Sequence, residues 1–318
     1  MIQIPAPDFD LEKTLNSGQV FHWEENGDGF VGAIGDRAVY VEQDDHALRV
    51  RCGGTPQPAR QRRTLPGIVA RYFALDHPLG EICDSFPKDP VMNVARDFCG
   101  GLRIIRQPKW ECLGTFICSS MKQVAHIRQI SLALRRRFGE QRRVGNHLVY
   151  TFPSPQRLAR ASEKELRGCK LGYRTEYLRA TARLVSSGEM DLEGWWALSD
   201  AELRKHLCAL PGVGAKIANC VMLFAYERLR AFPIDVWIER VLRQQYFSRR
   251  KKMTAQRLRQ FTETYFGQHG GYAQQYLFHH ARMMPRKAGF TAGLGRHASS
   301  LPSRKAGKLP ACRGSLEA

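Results

Sequence analysis

The stretch Leu210-Pro-Gly-Val-Gly-Ala-Lys216 decides how the second half of this chain folds. Gly212 and Gly214 permit a tight turn, and Ser199-Asp-Ala-Glu202 is a capping box that opens a helix before it. The apolar residues 217–224 continue as a second helix. The pattern predicts a helix–hairpin–helix, whose free backbone amides at a helix N-terminus are suited to bind a DNA phosphate without reading sequence.

Two side chains that could take part in a reaction, an amine and a carboxylate, follow this hairpin. Lys216 lies in the first turn of the second helix, and Cys220 comes one turn later on the same face. Asp235 ends the run Ala231-Phe-Pro-Ile-Asp235 at the N-cap position of another helix, where exposed amides are expected to hold it ionised. Singly, these are a surface lysine and a helix cap. Together they indicate a nucleophilic amine and a carboxylate that can stabilise positive charge on a sugar ring.

Charge and composition limit the class of partner. The 318 residues carry a formal net charge of +19, which favours a polyanion: nucleic acid first, and an anionic membrane surface second. No apolar run reaches membrane-spanning length, so the membrane alternative is weak. Nine scattered cysteines without a Cys-x-x-Cys pair indicate reduced thiols, and no cysteine cluster follows Asp235, which argues against an iron–sulfur cluster.

The fold class follows from a change along the chain in the spacing of apolar residues. Residues 30–34, 37–42 and 47–52 read as strands of an antiparallel sheet, whereas helical spacing begins near Val91. Helices are expected over 110–120 and 124–134, after Ser162 and Ser199, and over 271–282. We predict an α+β protein with an N-terminal antiparallel β-sheet domain (1–100), packed on an all-α helix–hairpin–helix domain (101–287). A basic tail (288–318) is expected to be disordered.

Several longer blocks carry a family resemblance. They are Ser17-Gly-Gln-Val-Phe-His-Trp23, Gly101-Leu-Arg-Ile-Ile-Arg-Gln107, Cys112-Leu-Gly-Thr-Phe-Ile-Cys-Ser-Ser120, Leu171-Gly-Tyr-Arg-Thr-Glu-Tyr177 and Gly271-Tyr-Ala-Gln-Gln-Tyr-Leu-Phe278. With the hairpin, they resemble the 8-oxoguanine DNA glycosylase family of the helix–hairpin–helix–Gly/Pro–Asp superfamily, from about Asn16 to Phe278. The resemblance implies a bifunctional DNA glycosylase and AP lyase acting on double-stranded DNA.

The same resemblance implies roles for individual residues. Lys216 matches the lysine that forms a Schiff base and allows β-elimination, and Asp235 matches the catalytic aspartate. Gly18 matches the glycine whose carbonyl accepts from N7–H, the hydrogen that 8-oxoguanine has and guanine lacks. Gln274 matches the residue that binds the Watson–Crick edge of the base. Cys220 and Phe278 match the two faces between which the flipped base is held.

DNA contacts are implied as well. Tyr173 matches a wedge tyrosine, and Arg174 an arginine that contacts the cytosine opposite the lesion. Gly212 and Gly214 belong to the phosphate-binding hairpin. The backbone carbonyls of Cys208, Leu210 and Val213 match a site for a structural monovalent cation; no other cofactor is expected.

The chain departs from the family at four positions. Met121 and His126 stand where eukaryotic relatives have an asparagine and an arginine that fill the gap and read the opposite cytosine, so we expect a looser preference for cytosine. Trp237 and Ala281 replace a histidine and an aspartate, and Trp237 is expected to pack near a phosphate.

Alternatives remain open at this stage. They are an alkylpurine (3-methyladenine-type) glycosylase that uses the aspartate alone, and a non-catalytic helix–hairpin–helix DNA-binding protein. The basic runs 60–63, 135–143 and 248–252 are either phosphate contacts or solvated faces. A monomer is expected, in the bacterial cytoplasm with the nucleoid, or in the nucleus if the source is eukaryotic.

Overall fold

A five-stranded antiparallel sheet leads the chain in the computed structural model, which describes residues 1–53, 65–247 and 254–284. In chain order its strands are β1 Ile2–Pro5, β2 Glu24–Asn26, β3 Gly29–Ile34, β4 Arg37–Asp44 and β5 Ala47–Gly53. Their spatial order in the sheet is β1-β5-β4-β3-β2. The three strands predicted from sequence are confirmed as β3, β4 and β5. The two short edge strands, β1 and β2, were not predicted.

Strand β3, between β4 and the edge strand β2, is buried on both of its faces. On one side the indole ring of Trp23 lies over Gly32, where an added Cβ would be only 2.5 Å from the ring. Trp23 donates its Nε1–H to the hydroxyl of Tyr72 at 3.0 Å, which joins the sheet to the first long helical segment. Apolar burial on this face therefore ties the sheet to the helices.

A second, two-stranded sheet covers the other face. It consists of β6 Gln141–Val144 and β7 His147–Tyr150, which the sequence did not predict. Val144 and Val149 pack there against Val31 and Ala38 of the large sheet. The strands are short, and Leu148 on the outer side of β7 is 43% exposed, so no alternation of apolar and polar residues marks them in the sequence.

Fourteen α-helices lie in the described part of the chain. Those predicted from residues 110, 124, 162, 199 and 271 are confirmed within a few residues, including both capping boxes. The helices are α1 Leu11–Asn16, α2 Leu65–Tyr72, α3 Leu79–Asp84, α4 Pro90–Phe98, α5 Lys109–Cys118, α6 Val124–Phe138, α7 Pro155–Arg160, α8 Glu163–Arg167, α9 Arg174–Ser186, α10 Asp200–Cys208, α11 Ala215–Tyr226, α12 Val236–Val241, α13 Ala255–Tyr265 and α14 Gly270–Met283.

The described residues up to Met283 belong to one compact unit, and the α+β class is confirmed. The domain boundary at residue 100 stays a prediction. The predicted disordered tail, residues 288–318, lies outside the described residues. Within the described ranges, no helix is both long and apolar enough to cross a membrane.

The basic run 135–143 does not lie on one face, because Arg135 is buried while Arg136, Arg137 and Arg143 are exposed. Arg135 is buried and forms an ion pair with Glu111, which itself is buried. Arg136 lies near Glu24, and Arg142 is paired with Glu140. A buried carboxylate needs a charged partner, which explains why the first arginine of the run turns inward. The runs 60–63 and 248–252 lie outside the described residues.

Candidate active site

The predicted hairpin joins α10 to α11. Val213 donates its amide to the carbonyl of Leu210 at 3.1 Å, which closes the turn. Gly212 has φ +75°, and a Cβ there would lie 2.6 Å from the ring of Tyr177, so both backbone and space require glycine. Gly214 and Ala215 are exposed at the start of the 12-residue helix α11. The first-turn amides of α11 are therefore open to a phosphate.

Lys216 extends from α11 toward α5. Its Nζ lies 3.2 Å from Oγ of Ser119 and 5.2 Å from the ring centroid of Phe116. Phe116 is stacked on Phe224, with ring centroids 5.4 Å apart and planes 10° from parallel. The amine is thus held across two helices beside an aromatic pair.

Asp235 is the N-cap of α12, as predicted. Its Oδ1 accepts hydrogen bonds from the amides of Trp237 at 3.0 Å and Ile238 at 2.9 Å. Burial raises the pKa of Asp235 above its usual value, while the amide of Ile238 and the charge of Lys216 lower it. The amides lie where the sequence predicted them, but burial raises the pKa of Asp235 by more than the amides lower it.

One small cavity gathers all six residues predicted for catalysis and for base binding. Its volume is about 40 Å³. Pockets that bind small molecules usually measure about 300–1,000 Å³, so this cavity is too small for a purine base as it stands. It is lined by Gly18, Phe116, Lys216, Cys220, Phe224, Pro233, Asp235, Gln274, Gln275 and Phe278.

Gly18 forms a wall of this cavity with φ +85°. The segment before it is fixed to α14, because Gln275 donates its Nε2–H to the carbonyl of Ser17 at 2.9 Å and Arg282 donates to that of Asn16. Gly18 also lines a second, neighbouring cavity of about 460 Å³. Two helical turns of α14 thus set the position of this backbone.

Two further cavity residues are Gln274, which has an unpaired acceptor, and Cys220, whose thiol is protonated. Gln274 is 4% exposed, and its buried Oε1 has no hydrogen-bond partner. An unpaired buried acceptor is costly unless a ligand satisfies it. Burial raises the pKa of the Cys220 thiol to about 11, so it is protonated at neutral pH and presents an apolar, polarisable face.

The loop after α5 carries the most exposed apolar side chain near the cavity. Met121 is 94% exposed and has φ +52°, and His126 is exposed in the first turn of α6. Tyr173, predicted as a wedge, is 52% exposed. Trp237 is half-buried, and its ring lies 5.4 Å from the guanidinium of Arg240.

Arg174 differs from the expectation. It is 4% exposed, its Nη1–H donates to the carbonyl of Leu171 at 3.1 Å, and its Nε–H donates to that of Ser120 at 2.9 Å. Its guanidinium also lies 4.3 Å from the ring centroid of Tyr173. All three guanidinium nitrogens thus donate to backbone carbonyls, so in this structure Arg174 supports the loop and the wedge tyrosine and is not presented to an opposite base.

The carbonyls predicted for a monovalent cation accept few backbone hydrogen bonds. Within the described residues, no backbone amide donates to the carbonyl of Cys208 or Val213, and Leu210 accepts only from Val213. A carbonyl oxygen has two lone pairs, so all three can still bind a cation. Among the described side chains, no group of three His, Cys, Asp or Glu residues could hold a metal ion.

Sequence reasoning did not single out Ser119, Phe116 or Phe224. The first two lie within the quoted block 112–120, but a serine after an apolar helix carries no signal of its own. Their relation to Lys216 depends on the packing of α5 against α11.

Two known protein families match consecutive parts of this chain. Residues 1–113 match the family described as 8-oxoguanine DNA glycosylase, N-terminal domain. Residues 115–264 match the HhH-GPD superfamily of base excision DNA repair proteins. A probable N-glycosylase/DNA lyase of Methanothermobacter thermautotrophicus is 29% identical over 307 residues, which covers 88% of this chain and 96% of the relative.

Two solved structures have the same fold. The protein named MBOgg1, in complex with a low-affinity DNA ligand, is 33% identical with a TM-score of 0.80, covering 88% of this chain and 94% of that one. The 8-oxoguanine glycosylase/lyase of Clostridium acetobutylicum, bound to double-stranded DNA with cytosine opposite 8-oxoguanine, is 27% identical with a TM-score of 0.78. That alignment covers 89% of this chain and 98% of the other.

Proposed function

Since the chain belongs to the 8-oxoguanine DNA glycosylase family, we propose that it excises 8-oxoguanine from duplex DNA and then cleaves the strand as an AP lyase. The observation that supports this is the single cavity lined by a lysine, a carboxylate, and the four residues matched to base recognition. A DNA-binding module without catalysis has no use for such a constellation.

Binding begins at the backbone of the damaged strand. The open amides at the start of α11 bind one phosphate, and the exposed Met121 and Tyr173 enter the helix where the base leaves. The lesion must leave the stack because its anomeric carbon cannot be reached within the duplex. A monovalent cation bound to the carbonyls of Cys208, Leu210 and Val213 would supply positive charge to the same phosphate.

Recognition uses the polar groups of the cavity. The unpaired Oε1 of Gln274 accepts hydrogen bonds from the Watson–Crick edge of the base, which satisfies its buried acceptor. The carbonyl of Gly18 accepts from N7–H of 8-oxoguanine. Guanine has a lone pair at N7, and the resulting unpaired acceptors cost about 1–3 kcal/mol.

Room for the base comes from Phe278. Its ring packs on Gly18, and the cavity of about 40 Å³ cannot hold a purine with the ring in this position. The base enters between Phe278 and the protonated thiol of Cys220, so the ring must swing away from Gly18 as the lesion arrives.

The reaction proceeds through Lys216 and Asp235. The amine lone pair attacks C1′, the glycosidic bond breaks, and its electron pair leaves with the base, which takes up a proton. The carboxylate of Asp235 stabilises positive charge on the sugar. Loss of amine protons and ring opening give a Schiff base. Removal of a C2′ proton then expels the 3′ phosphate by β-elimination, and hydrolysis of the imine restores the amine.

Borohydride trapping on an 8-oxoguanine duplex tests this proposal. The unaltered protein should give a covalent protein–DNA adduct, and Lys216→Gln should give none. Lys122→Gln is the matched control, because it removes a positive charge from the exposed loop after Ser119 without touching the cavity. Excision without any adduct would indicate a monofunctional glycosylase, and binding without excision a non-catalytic module.

Action on DNA also sets the expected location. We infer that the protein acts in the bacterial nucleoid, or in the nucleus if the source is eukaryotic.

A further inference from the structure

Ser119 has two hydrogen-bond partners in fixed roles. It lies just after α5 and is 4% exposed. Its Oγ–H donates to the carbonyl of Phe116 at 2.7 Å, and its Oγ accepts from Nζ of Lys216 at 3.2 Å. A serine hydroxyl has one hydrogen and two lone pairs. Because the hydrogen goes to Phe116, only lone pairs face the lysine.

This polarity matters for a nucleophile. A serine that was free to rotate could donate its hydrogen to a neutral amine and occupy the lone pair needed for attack. With its hydrogen engaged by Phe116, Ser119 can only accept an N–H of Lys216. The lone pair of the neutral amine is therefore left for the sugar, and rotation about the Cε–Nζ bond is restricted.

The position of Ser119 is itself held from several sides. Its amide donates to the carbonyl of Phe116 at 3.0 Å. The next carbonyl, that of Ser120, accepts from the buried guanidinium of Arg174. Beneath the amine, the Phe116 ring is supported by its stack with Phe224. These contacts leave the Ser119 side chain few alternative rotamers, so its hydroxyl is pre-organised to accept from Lys216.

We propose that Ser119 is a positioning residue for Lys216, which orients the amine so that its lone pair faces the anomeric carbon. The inference rests on the proposed function, since it assigns Lys216 as the nucleophile. Ser119 does not touch the base in this account, because it is not among the residues that line the cavity.

Two substrates separate this role from one in base recognition. One is a duplex with 8-oxoguanine, and the other is a duplex with a preformed abasic site, which needs the amine but no base pocket. In single-turnover assays, Ser119→Ala should slow excision from the first and imine trapping on the second by a similar factor, about tenfold or more. Affinity for a duplex with a tetrahydrofuran abasic analogue should stay within about twofold of that of the unaltered protein, because no phosphate contact changes.

Ser120→Ala is the matched control, because only the backbone carbonyl of Ser120 is used. It should leave both rates within about twofold. Ser119→Thr keeps the hydroxyl and should restore most of the rate, while thermal unfolding of each variant identifies any loss of folding.

The outcomes distinguish the inference from its premise. No adduct from the unaltered protein overturns the proposed lyase function. If the unaltered protein forms the adduct and folded Ser119→Ala forms it equally fast, the positioning role is wrong. A defect confined to the 8-oxoguanine duplex would also overturn it, since that pattern belongs to the base pocket.

Discussion

A Cβ atom on Gly18 would lie 3.0 Å from Cε1 of Phe278, so the phenyl ring rests directly on bare backbone. Both residues line the cavity of about 40 Å³ that also holds Lys216 and Asp235. Gly18 therefore affects both the shape of the pocket, because it packs on Phe278, and its polarity, because the Gly18 carbonyl is the proposed N7–H acceptor.

Gly18→Ala should therefore strongly slow excision while sparing the lyase step. The methyl group pushes against Phe278 and strains a backbone at φ +85°, which costs about 1–2 kcal/mol of stability. We expect excision of 8-oxoguanine to fall about a hundredfold, with cleavage of a preformed abasic duplex retained. Gly188→Ala is the control, since it has φ +84° and no atom within 4 Å of the new methyl group. Equal losses in both variants would show that strain alone is responsible.

Gln274→Met should lower activity without lowering stability. The change removes a buried acceptor that has no partner in the free protein, so the free energy of unfolding should stay constant or rise. Excision should fall about tenfold to a hundredfold, because one to two hydrogen bonds to the base are lost. Gln275→Met is the contrasting variant: its amide bonds Ser17, and its loss should destabilise the protein by about 1–2 kcal/mol. Urea unfolding and single-turnover kinetics measure both quantities. If Gln274→Met destabilised the protein, Oε1 of Gln274 would have to be hydrogen-bonded in the free protein, contrary to this assignment.

Asp235 should control an acidic limb of the pH–rate profile. Only the carboxylate stabilises the developing cation, and its pKa is raised by burial, so excision should decline on acidification sooner than for a carboxyl of ordinary pKa. Asp235→Asn keeps a cap for α12 but lacks the charge, so the rate should fall about a hundredfold or more and the limb should disappear.

Stability should move in the opposite direction. A raised pKa in the folded state means that the native protein binds this proton more tightly than the unfolded chain does. The free energy of unfolding then falls as pH rises between the unfolded and folded pKa values. At pH 7, urea unfolding should find Asp235→Asn at least as stable as the unaltered protein. A clear loss of stability would mean that the ionised form of Asp235 is favoured by the fold.

Preference for cytosine opposite the lesion should be loose. Met121 offers no hydrogen bond, and the donor fork of Arg174 is engaged by backbone carbonyls. Each missing base contact removes about 1–3 kcal/mol of discrimination. We expect excision rates opposite cytosine and adenine to differ by about tenfold or less, and His126→Arg to increase the preference for cytosine. Turnover opposite adenine that is thousands of times slower than opposite cytosine would refute this expectation.

Much of the helical framework could be predicted because its signals are local. The capping boxes at Ser162 and Ser199 and the hairpin glycines act within one or two turns of the backbone. The strands β3 to β5 were visible for the same reason, as continuous or alternating apolar runs. The β6–β7 hairpin was missed because its two buried valines gain their burial only from the large sheet.

The amino-acid sequence alone determined the hairpin, the capped Asp235, and the residue types that match an 8-oxoguanine glycosylase. Tertiary packing decided which of these side chains are free to act. It turned Arg174 inward, placed Phe278 in the cavity wall, and brought Ser119 to Lys216 across 97 positions of the chain. Short segments of sequence determine local hydrogen bonds and backbone angles. Burial and the direction of a hydrogen bond depend on neighbours that only the folded chain supplies.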